Sequence, residues 1–291
     1  MVCSLIPLVL YYYCYHHLRP PPGFFPDPPA LSQVKTRLAA TVGKDAACYF
    51  YRECAESVLL AAARVPRCQL FVFYADAADA AGIDTWLADL FSQTCNTSPT
   101  PPTLHIVMCQ EQSEDLGNRM VGALRTMSAA GHSRCLVVGS DIPGLTTGVM
   151  EQALSLLRIH DVVLGPAVDG GFYLVGTRAE VREGLFFGVT WSTDSVLTDT
   201  LKATSDAGLS ATIDLAVLQD VDTVDDLRAF VAEDVVVDGG LGLVGRVGDS
   251  ALVRACREVA AIMPPERPES SEMGAGEGTT LSGHAPHRGM V

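Results

Sequence analysis

The chain has 291 residues, 48% of them hydrophobic, and sets 34 acidic side chains against 20 basic ones, for a formal charge of −14. That balance excludes a broad nucleic-acid footprint, which needs clustered Lys and Arg, so any phosphate chemistry has to be local, built from a few cations or a bound metal. Nine cysteines without a CxxC pair write neither a disulfide framework nor a zinc site, and point to reduced thiols and a cytoplasmic protein, organelle targeting being left open.

In chain order, the first seventeen residues are apolar but carry no Lys or Arg and are interrupted by Pro7, too short a run to span a bilayer. Residues 19–29, RPPPGFFPDPP, form neither helix nor central strand. From Val34 the text alternates between short apolar runs and amphipathic stretches, the pattern of a largely parallel α/β sheet. A helix over 44–64 is followed by a strand at 68–75, and a helix at 80–92 by a strand at 104–109. A helix at 115–130 then feeds the strand 135–139. Thr146 or Thr147 caps a helix running to 158, and DVVLGPA (161–167) is another buried strand. GGFYLVGT (170–177) follows too closely for an intervening helix, so simple alternation breaks there. Helices at 194–207 and 223–233 flank a strand SATIDLA (210–216). Beyond 263, Pro, Glu, Ser and Gly replace large apolar residues, the composition of a disordered tail.

Five stretches carry the candidate chemistry. LVVGSDIPGL (136–145) ends a buried strand on Asp141, a carboxylate that suits either a hard cation or a turn before Pro143. VKTRL (34–38) offers Lys35 and Arg37 as a diphosphate clamp, or a solvated basic turn. GPAVDGGFYLVG (165–176) sets Asp169 before Gly170 and Gly171, which suits a hairpin and a substrate floor alike. In DVDTVDDL (220–227), Asp225 and Asp226 suit the positive end of a helix, and Asp220 or Asp222 is free to supply a second metal ligand. QEQSEDLGNRM (110–120) opens a helix, where Asp115 and Arg119 form an intrahelical pair or Gln112 and Asp115 read a base or sugar. Trp191, in FGVTWST, reads as a core residue before it reads as a stacking wall.

The ordered set VKTRL, EDLGNRM, VVGSDIPGLT, GPAVDGGFYLVG, WST and DVDTVDDL, from Val34 to Phe230, resembles the glycosyltransferase-like DUF2064 family, also described as radical-SAM/selenodomain-associated transferases and linked to arsenosugar biosynthesis. The resemblance implies the three-layer GT-A, or nucleotide-diphospho-sugar transferase, fold, with a mostly parallel central sheet flanked by helices. It implies Asp141 and Asp222 as ligands of Mg²⁺ or Mn²⁺ and Lys35 and Arg37 on phosphates. Asp169, Gly170 and Gly171 would border the acceptor or sugar pocket; separately from the resemblance, Asp169 is the candidate general base. The family opens on an apolar strand and a Pro-x-x-Gly turn; here PPALSQ precedes Val34, so that strand either comes from within residues 1–18 or is absent.

The organisation expected is an irregular leader (1–33), a transferase domain (34–233), a C-terminal extension (234–262) and a disordered tail (263–291). The activity expected is metal-dependent glycosyl transfer from a nucleotide-sugar to a small-molecule acceptor, with no nucleic-acid or membrane partner. The alternatives are nucleotidyl transfer from a nucleoside triphosphate to a phosphorylated substrate, and a non-catalytic binding protein of the same fold.

Overall fold

The computed structural model describes residues 6–11, 35–74, 80–94, 105–109, 115–178, 184–236, 255–256, 258–259 and 261–262. The elements run β1 (Ile6–Tyr11), α1 (Thr36–Val42), α2 (Lys44–Ala63), β2 (Cys68–Tyr74), α3 (Ala80–Thr94), β3 (His105–Cys109), α4 (Leu116–Ala129), β4 (Arg134–Gly139), α5 (Thr147–Leu156), β5 (Val162–Pro166), β6 (Phe172–Arg178), α6 (Val196–Asp206), β7 (Ala211–Thr212) and α7 (Val224–Val236). The strands form one mixed sheet in the order β3-β2-β1-β4-β6-β5-β7. β6 runs antiparallel to both its neighbours, and the other pairings are parallel.

The missing opening strand is found inside the stretch expected to be an irregular leader. IPLVLY forms β1 and pairs parallel with β2 on one side and β4 on the other, so the middle of the sheet is supplied by residues that precede the proline-rich segment. Pro7 is tolerated because it is the second residue of the strand and the ladder to β4 begins one residue later, at Leu8. The tail expected beyond 263 and the proline-rich stretch lie outside the described residues.

Strand periodicity sorts side chains to the two faces. Leu70, Val72 and Tyr74 of β2, with Leu136 and Val138 of β4, join one core cluster with α2, α3 and α5. Phe71 and Phe73, with Cys135 and Val137, join another with α4 and partly buried residues of α6. A third cluster lies at the sheet end: Leu38 of α1, Phe50 and Cys54 of α2, Val221, Leu227 of α7, Cys256 and Val259 are all buried together. Among the described residues no helix is long and apolar enough to cross a membrane.

The break in alternation after residue 166 is a β5–β6 hairpin, which is what turns β6 against the rest of the sheet. The strand expected over 210–216 is shorter, only Ala211–Thr212. Thr212 Oγ1 donates to Asp214 Oδ2 at 2.9 Å and accepts from the Asp214 N–H at 3.2 Å, and Leu215 N–H donates to the Ile213 carbonyl at 2.7 Å. Those local bonds compete with the ladder and turn the chain away. Parallel pairing returns as an isolated bridge between Ala167 and Leu218.

Candidate active site

Asp141 stands two residues beyond β4, at the carboxyl end of the central parallel strands, where ligands of open α/β sheets bind. Its turn is anchored from below: Ser140, fully buried, shares a 2.8 Å hydroxyl hydrogen bond with Tyr51 of α2. Leu145 N–H donates to the Ile142 carbonyl, and Thr146 then caps α5 by accepting from Val149 N–H. The carboxylate folds back over Gly139, where an added Cβ would lie 3.1 Å from Oδ1.

Asp222 arrives from the far end of the chain. Asp226 accepts from the Asp222 and Thr223 N–H groups and from Thr223 Oγ1, and Asp226 N–H donates to that hydroxyl in return, a reciprocal cap that opens α7. Burial would push the Asp226 carboxyl up, but these hydrogen bonds outweigh it and hold the group below the usual carboxylate range. The structural role expected of Asp226 thus fixes the backbone from which Asp222 projects.

Lys35 joins the two acids. It precedes α1 in the left-handed region (φ 48°) and makes no side-chain cap for that helix. Its ammonium donates instead to Asp141 Oδ2 at 2.8 Å and to Asp222 Oδ1 at 2.5 Å, with the side chain 5% exposed. Burial by itself would lower its pKa; the charges and hydrogen bonds of Asp141 and Asp222 reverse that and raise it well above the ordinary lysine value. The third core cluster makes the meeting possible, because Leu38, Val221 and Leu227 pack the starts of α1 and α7 together.

Asp141 and Asp222 border a cleft of about 700 Å³. One end is acidic: Asp141, Asp169, Asp220 and Asp222 line it, with Arg37 as the cation among its lining residues. Burial, then the charges of Asp222, Asp141 and Asp169, push Asp220 up to about 6, against the pull of Lys35. The opposite wall is apolar, formed by Phe172, Trp191, Leu116 and Met120. Phe186 stacks on Phe172 and meets Trp191 edge-on, so the indole belongs to an aromatic cluster that opens on the cleft.

The other expected site residues are placed as follows. Asp169 lines the cleft and accepts from Gly171 N–H at 2.9 Å, the Asx turn of the hairpin. Gly171 lines the cleft beside it. Gly170, at φ +87°, packs against the next loop: a Cβ there would lie 2.2 Å from the Asp194 carbonyl oxygen, and its own carbonyl accepts from Leu197 N–H. Asp115 caps α4, accepting from Asn118 N–H at 2.7 Å, and accepts from Trp191 Nε1–H at 3.1 Å. It orients the indole rather than lining the cleft. Gln112 lies outside the described residues. Sequence reasoning passed over Ser192, which lines the cleft at φ +64°, and Asp194 beside it. Only the backbone strain marks Ser192, and sequence does not carry it.

Among the described residues no three His, Cys, Asp or Glu side chains converge as a cage. Asp141 and Asp222 nevertheless direct one oxygen each at a single cation position, now filled by the Lys35 ammonium. Two carboxylates completed by substrate phosphates and water is the common way Mg²⁺ is held.

The family model described as "Uncharacterized protein conserved in bacteria (DUF2064)" matches residues 58–193. Over those residues the chain is similar to that family. The DUF2064 segment contains Asp141, the β5–β6 hairpin and Trp191, while Lys35, Arg37 and Asp222 stand outside it. The chain is also similar to a crystal structure titled "putative nucleotide-diphospho-sugar transferase" from Desulfovibrio desulfuricans G20, at 29% identity over 88% of this chain and 96% of that one, with a TM-score of 0.68. Weaker likenesses include CMP:2-keto-3-deoxy-manno-octonic acid synthetase complexed with CTP (15% identity, 79% and 100% covered, TM-score 0.43). Another is Rv0371C in complex with manganese from Mycobacterium tuberculosis H37Rv (14% identity, 78% and 97% covered, TM-score 0.36). At those TM-scores neither is a guide to this chain. No curated protein sequence matches it.

Proposed function

We propose that this chain is a member of the DUF2064 family and a metal-dependent glycosyltransferase of three-layer GT-A fold, moving a sugar from a nucleotide-diphosphate donor to a small acceptor. The observation that carries the reading is the convergence of Asp141 and Asp222, both lining the cleft, on one cation position. The likeness to the Desulfovibrio structure, over nearly the whole of both chains, supports it.

In this reading Asp141 and Asp222 would hold Mg²⁺ or Mn²⁺, which would supply positive charge against the diphosphate leaving group. Arg37, lining the same cleft, offers a planar fork to a phosphate, and Lys35 supplies the second cation. A cleft lined by six aspartates repels a bare diphosphate, so binding of the donor depends on those cations. Asp169 takes the acceptor proton, with Gly171 leaving the floor beside it open. Gly170 and Asp115 serve one step back, Gly170 seating the loop at Asp194 and Asp115 fixing Trp191, which forms the apolar wall. Five described cysteines are free thiols, in keeping with work in a reducing cytoplasm.

Thermal-shift titration with a nucleotide-sugar panel, with and without Mn²⁺, tests the reading. A true donor at a hundred times its Kd adds about 2.7 kcal/mol of stability, and for a domain of this size each kcal/mol raises Tm by about 2–4 °C. That shift is expected with Mn²⁺ only, and is abolished in Asp141→Asn. Pyrophosphate release from a nucleoside triphosphate, with no turnover of any nucleotide-sugar, would replace glycosyl by nucleotidyl transfer.

A further inference from the structure

We propose that Lys35 is a built-in counter-cation: it occupies the metal position in the free protein and yields it only when a diphosphate arrives, so that metal and nucleotide bind as a coupled pair. The inference rests on the assignment of Asp141 and Asp222 as the metal-holding pair and adds an order of events to it.

The ammonium already bonds to one oxygen of each acid, at 2.8 and 2.5 Å. A divalent ion held between the two acids, at about 2.0–2.1 Å from an oxygen of each for Mg²⁺, would take the place of the ammonium. The two cations cannot share that position. With Lys35 in place, its ammonium holds the position between the two acids; adding a bare divalent ion there sets two cations against each other within a few ångströms. Displacing the ammonium alone is no cheaper, because its side chain is 5% exposed and a buried charge without a partner is costly.

A diphosphate resolves the conflict. Its oxygens give the displaced ammonium a new partner and complete the coordination of the ion, so each ligand makes room for the other. Positive coupling of this kind is reciprocal: the factor by which diphosphate tightens metal is the factor by which metal tightens diphosphate. The main chain supports a side chain dedicated to this exchange, since Lys35 holds a left-handed conformation unusual for a residue with a Cβ and spends its side chain on the two acids instead of capping α1.

The test is Mn²⁺ binding followed by the electron paramagnetic resonance of the free ion, alone and with inorganic pyrophosphate, corrected for the solution complex of the two. In the wild type, pyrophosphate is expected to tighten Mn²⁺ at least ten-fold. In Lys35→Met, Mn²⁺ alone is expected to bind at least ten-fold tighter than in the wild type, and the gain from pyrophosphate to shrink. Lys35→Arg, which keeps the charge, is expected to remain a weak binder of Mn²⁺ alone. A tightening by charge removal is not what loss of a purely structural residue produces. If wild type binds Mn²⁺ equally well with and without pyrophosphate, the proposal is overturned, whether or not Lys35→Met folds. If Lys35→Met binds Mn²⁺ no tighter than wild type, while wild type binds it with pyrophosphate and Asp141→Asn does not, the counter-cation role fails and the metal reading stands. If no form binds Mn²⁺ under any condition, both fail.

Discussion

At Asp220 a single carboxyl carries a pH dependence of the whole fold. Burial and the neighbouring Asp222, Asp141 and Asp169 raise its pKa from 3.8 to about 6, so the folded chain holds this proton more tightly than the unfolded chain. The sign follows from linkage: the favourable contribution is complete below the unfolded value and is lost as pH rises through the window from about 4 to about 6. Two units correspond to nearly 3 kcal/mol unscreened, and because the group is partly open to solvent about 1–2 kcal/mol is expected. Urea denaturation at pH 4.5 and 7, without divalent ions, checks this. Asp220→Asn should gain about 1–2 kcal/mol on the wild type between those two values. An unchanged difference would mean the carboxyl is solvated as an ordinary aspartate.

Among the elements, the β5–β6 hairpin is the one whose sequence and geometry are most tightly bound. Asp169 makes the turn, Gly171 keeps the floor open, and Gly170 is the contact on which the 191–195 loop is seated. Gly170→Ala meets two costs at once, a left-handed backbone at φ +87° and a Cβ 2.2 Å from the Asp194 carbonyl oxygen. Together they are expected to destabilise by about 2–4 kcal/mol. Calorimetry should register that as a lowered Tm, and quenching of Trp191 should report the displaced loop. The hairpin was legible because Asp-Gly between two apolar runs is a local signal. β7 was not legible at its true length, since Thr212 and Asp214 bond to each other in a way that apolar alternation does not reveal.

For the molecule as a whole, the placement of β1 makes residues 6–11 part of the fold. They separate β2 from β4 and pair with both, so removing them breaks two ladders in the middle of the sheet and exposes two strand edges. Deletion of residues 1–11 is expected to abolish cooperative thermal unfolding in circular dichroism, whereas deletion of residues 1–4, which leaves β1 whole, is expected to keep it. Equal melts for the two deletions would remove β1 from the core. The same long reach assembles the site: Lys35 is 106 residues from Asp141 and 187 from Asp222.

By itself the sequence determined most of the elements after Val34, the carboxylate that ends β4, the acidic cap of α7 and the turn at Asp169. Each is written in neighbouring residues, as a period of two or of 3.6, a cap or a turn pair. Tertiary structure alone decided that IPLVLY is a central strand, that Asp115 holds Trp191, and that one ammonium bridges two distant acids. A six-residue apolar run containing a proline has no period long enough to place it in a sheet. Which side chains meet across the ends of three different elements depends on how the cluster of Leu38, Val221 and Leu227 packs, and no local pattern encodes that.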